Sequence, residues 1–252
     1  MKRIIIQKLH EIEKREHVKI LLAVESGSRA WGFASPDSDY DVRFIYIRKK
    51  EDYLRLDPVR DVIERPINDL LDINGWDLQK ALRLMYKSNP TLFEWLQSPI
   101  IYMETEFADK MRMSMFDYFS VKHSLYHYIS MAEGNYRKYL RTEMVKAKKY
   151  FYVLRPLLAG YWILDKRTPP PMLFSELVET ELPEEQKQEV EKILEIKIHA
   201  PEIKMIPRID KLNKYIENEI TDMKMKAGTL EKEEKRSWDK LNGMFLGEVE
   251  RY

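Results

Sequence analysis

The chain contains no cysteine, which removes disulfide bridges and thiolate metal sites from the possibilities. It also lacks any run of about 18 uncharged apolar residues, the length a helix needs to cross a bilayer. Net charge of one sign is almost absent. Lys and Arg number 43 against 42 Asp and Glu, so the overall balance singles out no class of partner. The start, Met1 to Lys8, is basic, and its apolar part Ile4-Ile5-Ile6 is too short for the core of a secretion signal. These absences lead to the expectation of a cytoplasmic protein with no membrane association. Apolar residues make up 44 % of a chain of 252, enough to bury the core of one large domain or two small ones.

The apolar pattern changes character along the chain. Ile5, Leu9 and Ile12 form a helical stripe over residues 3–17. Val18 to Val24 is a short apolar run with the length of a buried strand. Glu25-Ser26-Gly27-Ser28 reads as a turn opening a short helix, and a second strand is expected from Asp41 to Ile47. Further strands are expected at 59–64, 70–74 and 100–102. Asp77 is placed to cap a helix reaching Lys87, and Asn89-Pro90 to open another through Trp95. After about residue 104 glycine is sparse, and helices are expected at 104–115, 119–137, 142–164, 172–180, 184–198, 208–226 and 231–246. An N-terminal α/β unit should therefore be followed by a helical unit, with the boundary near residue 105.

One stretch carries chemistry: Gly27-Ser28-Arg29-Ala30-Trp31-Gly32, then Ser38-Asp39-Tyr40-Asp41-Val42-Arg43. Asp39 and Asp41 stand two apart at the mouth of a strand, and side chains at that spacing share a face. Paired carboxylates make an oxygen-rich site for a hard divalent cation, Mg²⁺ or Mn²⁺. The Gly27-Ser28 turn would offer backbone N–H groups and a hydroxyl at a helix start, an arrangement suited to phosphate. A phosphate binder beside paired carboxylates points to metal-assisted phosphoryl or nucleotidyl transfer. Taken alone, Pro36-Asp37-Ser38-Asp39 is ordinary turn composition; the Gly-Ser turn upstream gives the carboxylates their meaning.

This stretch resembles the signature of the DNA polymerase β superfamily of nucleotidyltransferases: a Gly-Ser turn, a short helix, then Asp-x-Asp on the next strand. The longer pattern is similar to predicted bacterial nucleotidyltransferases associated with RNA-repair pathways. The likeness continues through Asp72 to Leu82, Ser88-Asn89-Pro90 and Lys148 to Leu157. It implies an α+β fold, with a nucleotidyltransferase catalytic domain over 1–104 built on a mixed sheet, and a helical domain over 105–252 completing the cleft. It also implies a third carboxylate from a later strand. Asp72, inside the apolar run Leu70-Leu71-Asp72-Ile73, is the stronger candidate, and Asp77, which has an ordinary explanation as a helix cap, the weaker. On this reading Asp39, Asp41 and Asp72 are catalytic and hold metal, while Gly27 and Ser28 hold a nucleoside triphosphate, with ATP binding among the expectations. Arg29 contacts phosphate or serves as a structural ion-pair partner. The acceptor is an RNA, for instance a tRNA end; a protein acceptor, or a catalytically silent RNA- or protein-binding module of the same fold, are the alternatives.

Between Ser120 and Gly160 eight positive residues (Lys122, Arg137, Lys138, Arg141, Lys146, Lys148, Lys149 and Arg155) face only Glu133 and Glu143. That excess suits a polyanion, and equally a solvated helix face. Lys146 and Lys149 are the candidates for nucleotide binding. The helices bearing them are expected to line the far wall of one cleft with the carboxylate strands. His123 and His127 share a helix face but lack a third metal ligand nearby.

Overall fold

The computed structural model describes residues 1–64, 70–231 and 233–252. They form a mixed α+β fold with helices and strands divided between two compact units. Unit 1 comprises Met1–Ala30, Asp39–Tyr118 and Lys235–Tyr252; unit 2 comprises Trp31–Ser38 and Phe119–Glu234.

Unit 1 begins with α1 (Lys2–Glu16), β1 (Val18–Glu25) and the single turn α2 (Gly27–Ala30). It resumes with β2 (Tyr40–Arg48), α3 (Lys50–Tyr53), β3 (Val62–Glu64), β4 (Leu71–Asp77), α4 (Leu78–Tyr86), α5 (Pro90–Leu96), β5 (Ile101–Glu104) and α6 (Glu106–Tyr118). The sheet order is β3-β4-β2-β1-β5. β2 and β4 run parallel and the other neighbours antiparallel, which makes the sheet mixed. Ile5, Leu9 and Ile12 of α1 are buried in one cluster with Val18, Ile20, Val42, Phe44 and Tyr46. Each such side chain contributes about 1.5–3 kcal/mol when fully buried. Alternation along β2 sends Val42, Phe44 and Tyr46 into that cluster and leaves Asp41, Arg43, Ile45 and Ile47 with the opposite parity. Gly75 of β4 lies opposite Phe44, and a Cβ there would come within 2.2 Å of the Phe44 ring. Only glycine lets these two strands pair at that point.

Unit 2 contains α7 (Val121–Tyr139), β6 (Met144–Lys146), α8 (Lys148–Lys166), α9 (Phe174–Glu181), α10 (Glu184–His199), β7 (Met205–Pro207) and α11 (Asp210–Gly228). Its core is a cluster of buried side chains centred on α7 and α8, with Tyr150, Phe151, Leu154 and Leu157 fully enclosed. The last helix, α12 (Asp239–Val249), returns to unit 1.

Several sequence expectations change here. The helix expected over 142–164 starts only at Lys148, because Met144–Lys146 pairs with Met205–Pro207 as a two-stranded ribbon. Val145 is buried and its neighbours exposed, the period of a strand. Lys146 therefore does not share a helix face with Lys149. The helix expected at 231–246 includes Lys232, which is outside the described residues; among the described ones it begins at Asp239. The units are also not consecutive. Helix α6, expected to open the helical half, packs in unit 1: the Tyr118 hydroxyl donates to the Ser237 carbonyl at 2.9 Å, and Tyr86 stacks on Trp238 at 3.6 Å. Segment 31–38 joins unit 2, where Phe33 is buried against Phe151 and Phe174 at 5.0 and 5.5 Å between ring centroids. Among the described residues no helix is long and apolar enough to cross a membrane.

Candidate active site

β1 ends at Glu25, and the chain turns at Gly27, whose φ of 60° belongs to the left-handed region. A Cβ at Gly27 would sit 2.1 Å from Oδ2 of Asp41. The turn backbone therefore lies directly against that carboxylate, and a side chain is excluded on two counts. The Ser26 amide donates to the Asp41 carbonyl at 2.8 Å, which ties the turn to the start of β2. Ser28 lies in the short α2 that follows.

Asp41 and Asp72 are in register on adjacent parallel strands, β2 and β4. Neighbouring strands lie about 4.8 Å apart, so the two carboxylates form a pair. Arg43, two residues on from Asp41, spans them. Its Nη2 donates to Oδ1 of Asp41 at 3.0 Å and to Oδ2 of Asp72 at 2.7 Å, and Nη1 donates to the Asp72 carbonyl at 3.2 Å. Asp39 precedes β2 and is exposed. It stands at the mouth of the strand rather than within it. Its carbonyl accepts from Nε of Arg29 at 3.0 Å, and the Arg29 guanidinium stacks 3.8 Å over the Tyr40 ring. Arg29 thus has a structural partner in the backbone next to the site.

Asp77 occupies the other end of β4, five residues or about 16 Å from Asp72. It caps α4 by accepting from the Gln79 amide at 2.8 Å, and the Tyr53 hydroxyl donates to its second oxygen at 2.9 Å. Burial holds its carboxyl above the ordinary range. Asp77 is committed to the helix start; Asp72 is the carboxylate beside Asp41.

Glu25 adds a site residue that no motif in the sequence singles out. It is fully buried at the end of β1. Its Oε1 accepts from the Asp41 amide at 2.7 Å, its Oε2 accepts from the Tyr102 hydroxyl, and the Ser98 hydroxyl donates to its carbonyl at 2.6 Å. Burial raises its pKa, against the hydrogen bonds from Tyr102 and Asp41. The signal was present: a carboxylate closing an apolar strand is the same anomaly that marked Asp72.

Asp41, Asp72 and exposed Asp39 supply only oxygen donors, the set suited to Mg²⁺ or Mn²⁺. The glycine cradle against Asp41 and the register with Asp72 fit such an ion. The described residues do not gather three such groups into a ready cage, and Arg43 stands between two of the candidate ligands.

The remaining candidates lie in unit 2. Lys146 is exposed on β6. Lys149 opens α8 with its ammonium 4.0 Å from the Tyr139 ring centroid and 4.2 Å from that of Tyr152. Burial lowers its pKa. Arg155, counted in the basic stretch, is buried, with its guanidinium 4.7 Å over the Trp31 ring, and so adds nothing to a charged surface. His123 and His127 lie on α7.

A family model described as the RNA repair pathway DNA polymerase beta family matches residues 1–247. An uncharacterized protein of Bacillus subtilis (strain 168), YcgL, is 50 % identical over 252 residues, covering 99 % of this chain and 97 % of that protein. A crystal structure of a nucleotidyltransferase-like protein from Exiguobacterium sibiricum 255-15 aligns over 89 % of this chain and 75 % of its own, at 13 % identity and a TM-score of 0.32. With the family model spanning nearly the whole sequence, the chain belongs to the RNA repair pathway DNA polymerase beta family.

Proposed function

We propose that this protein transfers a nucleoside monophosphate from a nucleoside triphosphate to an acceptor hydroxyl, with Mg²⁺ or Mn²⁺ as cofactor. The observation that carries the reading is the in-register pair Asp41 and Asp72, set against the Gly27 backbone. Gly27 and Ser28 hold the triphosphate through backbone N–H groups and the hydroxyl, where only a residue without Cβ leaves room. Asp39, Asp41 and Asp72 hold the metal, which supplies charge neutralisation at the phosphates when bound. Arg43 and Glu25 keep Asp41 and Asp72 aligned. The acceptor oxygen attacks the α-phosphorus in line, the bond from that phosphorus to the bridging oxygen of the β-phosphate breaks, and pyrophosphate leaves. The acceptor proton passes to a carboxylate of the site, for which Asp72 is the candidate. Lys146 and Lys149, both in unit 2, are candidates for binding phosphate through their positive charge. The family's description favours RNA as that acceptor, and a tRNA end is the narrower candidate we put forward.

One observation favours a second reading, a binding module of the same fold without turnover. Arg43 already bridges Asp41 and Asp72 and offsets one of their two negative charges. Incubation with each labelled triphosphate and Mg²⁺ or Mn²⁺, over RNA, protein and small-molecule acceptors, separates the two. The enzyme labels an acceptor, and Asp39→Ala/Asp41→Ala does not. Equal labelling by wild type and variant across all acceptors sinks the enzymatic reading.

A further inference from the structure

Unit 2 contains a buried ionic cluster that the proposed chemistry does not use. Lys197, on α10, is 3 % exposed. Its ammonium donates to the Ser35 hydroxyl at 2.8 Å and lies 3.4 Å from both Oγ of Ser38 and Oε1 of Glu202. Ser38 donates to the same Glu202 oxygen at 2.9 Å, and Lys148 pairs with the other. Oγ of Ser38 accepts from the Ser35 amide at 3.0 Å, closing a turn. The Glu202 amide donates to Oδ2 of Asp37 at 3.0 Å. Burial lowers the Lys197 pKa against the pull of Glu202.

Burying a lysine is costly unless its charge and donors are satisfied, and satisfying them fixes the partners in place. Here two of the lysine's three partners, Ser35 and Ser38, lie in one segment, and the third, Glu202, holds Asp37 of the same segment through its backbone amide. The other end of that segment is pinned as well, by the Phe174 amide donating to the Trp31 carbonyl at 3.0 Å and by buried Phe33. Segment 31–38 is the covalent link between the Gly27-Ser28 turn and Asp39, and Ser38 is bonded directly to Asp39.

We propose that Lys197, with Glu202, is a positioning residue for Asp39: it clamps the segment that ends at that carboxylate. The proposal rests on the nucleotidyltransferase reading for its consequence, though not for the anchoring itself. A pair of serines bonded to a lysine could also serve nucleophilic catalysis, but Ser35, Ser38 and Lys197 are all buried, and a substrate could not reach them.

The test uses the full chain with Lys197→Met/Glu202→Gln, which removes both charges together and leaves Lys148 facing an amide in place of its carboxylate partner, and Lys197→Arg as a charge-conserving variant. Amide hydrogen exchange should speed up in peptides covering 31–41 in the double variant and stay unchanged in those from α7. Lys197→Arg should retain part of the protection. Calorimetric titration of a triphosphate with Mn²⁺ should show an affinity about tenfold or more weaker in the double variant, the scale of lost outer-shell support at metal sites. The same change made on top of Asp39→Asn should cost nothing further. Unchanged exchange over 31–41 overturns the clamp. An equal loss of affinity with and without Asp39 overturns positioning through Asp39. If the wild type itself binds no triphosphate with metal, the nucleotidyltransferase reading has failed, and exchange at the Asp39 amide alone decides whether the clamp exists.

Discussion

Arg43 is held by the two carboxylates it aligns, and this makes its replacement informative. Arg43→Gln removes the cation shared by Asp41 and Asp72 and leaves only a shorter, uncharged amide donor. If Arg43 aligns the pair, Mn²⁺ affinity in the variant should fall on the order of tenfold. A rise instead would mean that Arg43 mainly competes with the ion; paramagnetic titration of Mn²⁺ reads the sign. The third carboxylate is tested in the same way. Asp72→Asn should lower transfer on the order of 100-fold, and Asp77→Asn should leave it within about threefold, since Asp77 lies about 16 Å along the strand. The reverse ranking would return Asp77 to the site. The sequence made Gly27, Asp41 and Asp72 visible because each breaks a local rule: glycine in a turn before a helix, carboxylates at the edge of apolar runs. It left Glu25 unread, and Arg43 visible only as part of the motif, because their roles depend on a register between strands that lie apart in the chain.

At the scale of the element, helix α4 reads directly from sequence because its start is a local matter. Asp77 as N-cap and Asn89-Pro90 before α5 are short-range hydrogen-bond chemistry. β6 does not read this way. Thr142 to Lys146 is compatible with a helix continuing into Lys148, and only pairing with residues 205–207 makes it a strand. Asp77 also carries a pH signature. Its carboxyl titrates above its ordinary value of 3.8 because it is buried. The folded state therefore holds this proton more tightly than the unfolded chain, and the resulting stabilisation is present at low pH and lost as pH rises through the interval above 3.8. Asp77→Asn keeps the cap acceptor for the Gln79 amide and abolishes the titration. Urea midpoints of wild type and variant, compared from about pH 4 to neutrality, should diverge, with wild type losing ground as pH rises. Parallel curves would contradict the assignment.

For the whole molecule, the sequence divides cleanly into an α/β stretch and a helical stretch, yet the two compact units interleave. Trp31–Ser38 leaves the first half for unit 2, and residues 235–252 return to unit 1. A linear reading could not see this, since burial of Phe33 against Phe151 and Phe174 is a contact between distant residues. The charge on unit 2 gives a test at this scale. Lys146→Ala/Lys149→Ala should weaken triphosphate or RNA binding and flatten its dependence on salt, while stability shifts by no more than about 2 kcal/mol, the scale of a partly desolvated cation–π contact. Unchanged affinity and slope would remove these lysines from nucleotide or RNA binding and leave Asp39, Asp41 and Asp72 standing. The central claim, a metal-dependent nucleotide site around Asp39 and Asp41, is tested most directly by titrating a nucleoside triphosphate into the full chain with and without Mg²⁺. Binding should require the metal in the wild type and be lost in Asp39→Ala/Asp41→Ala; binding that is the same with and without Mg²⁺, or that survives the double substitution, would contradict a metal-dependent site there.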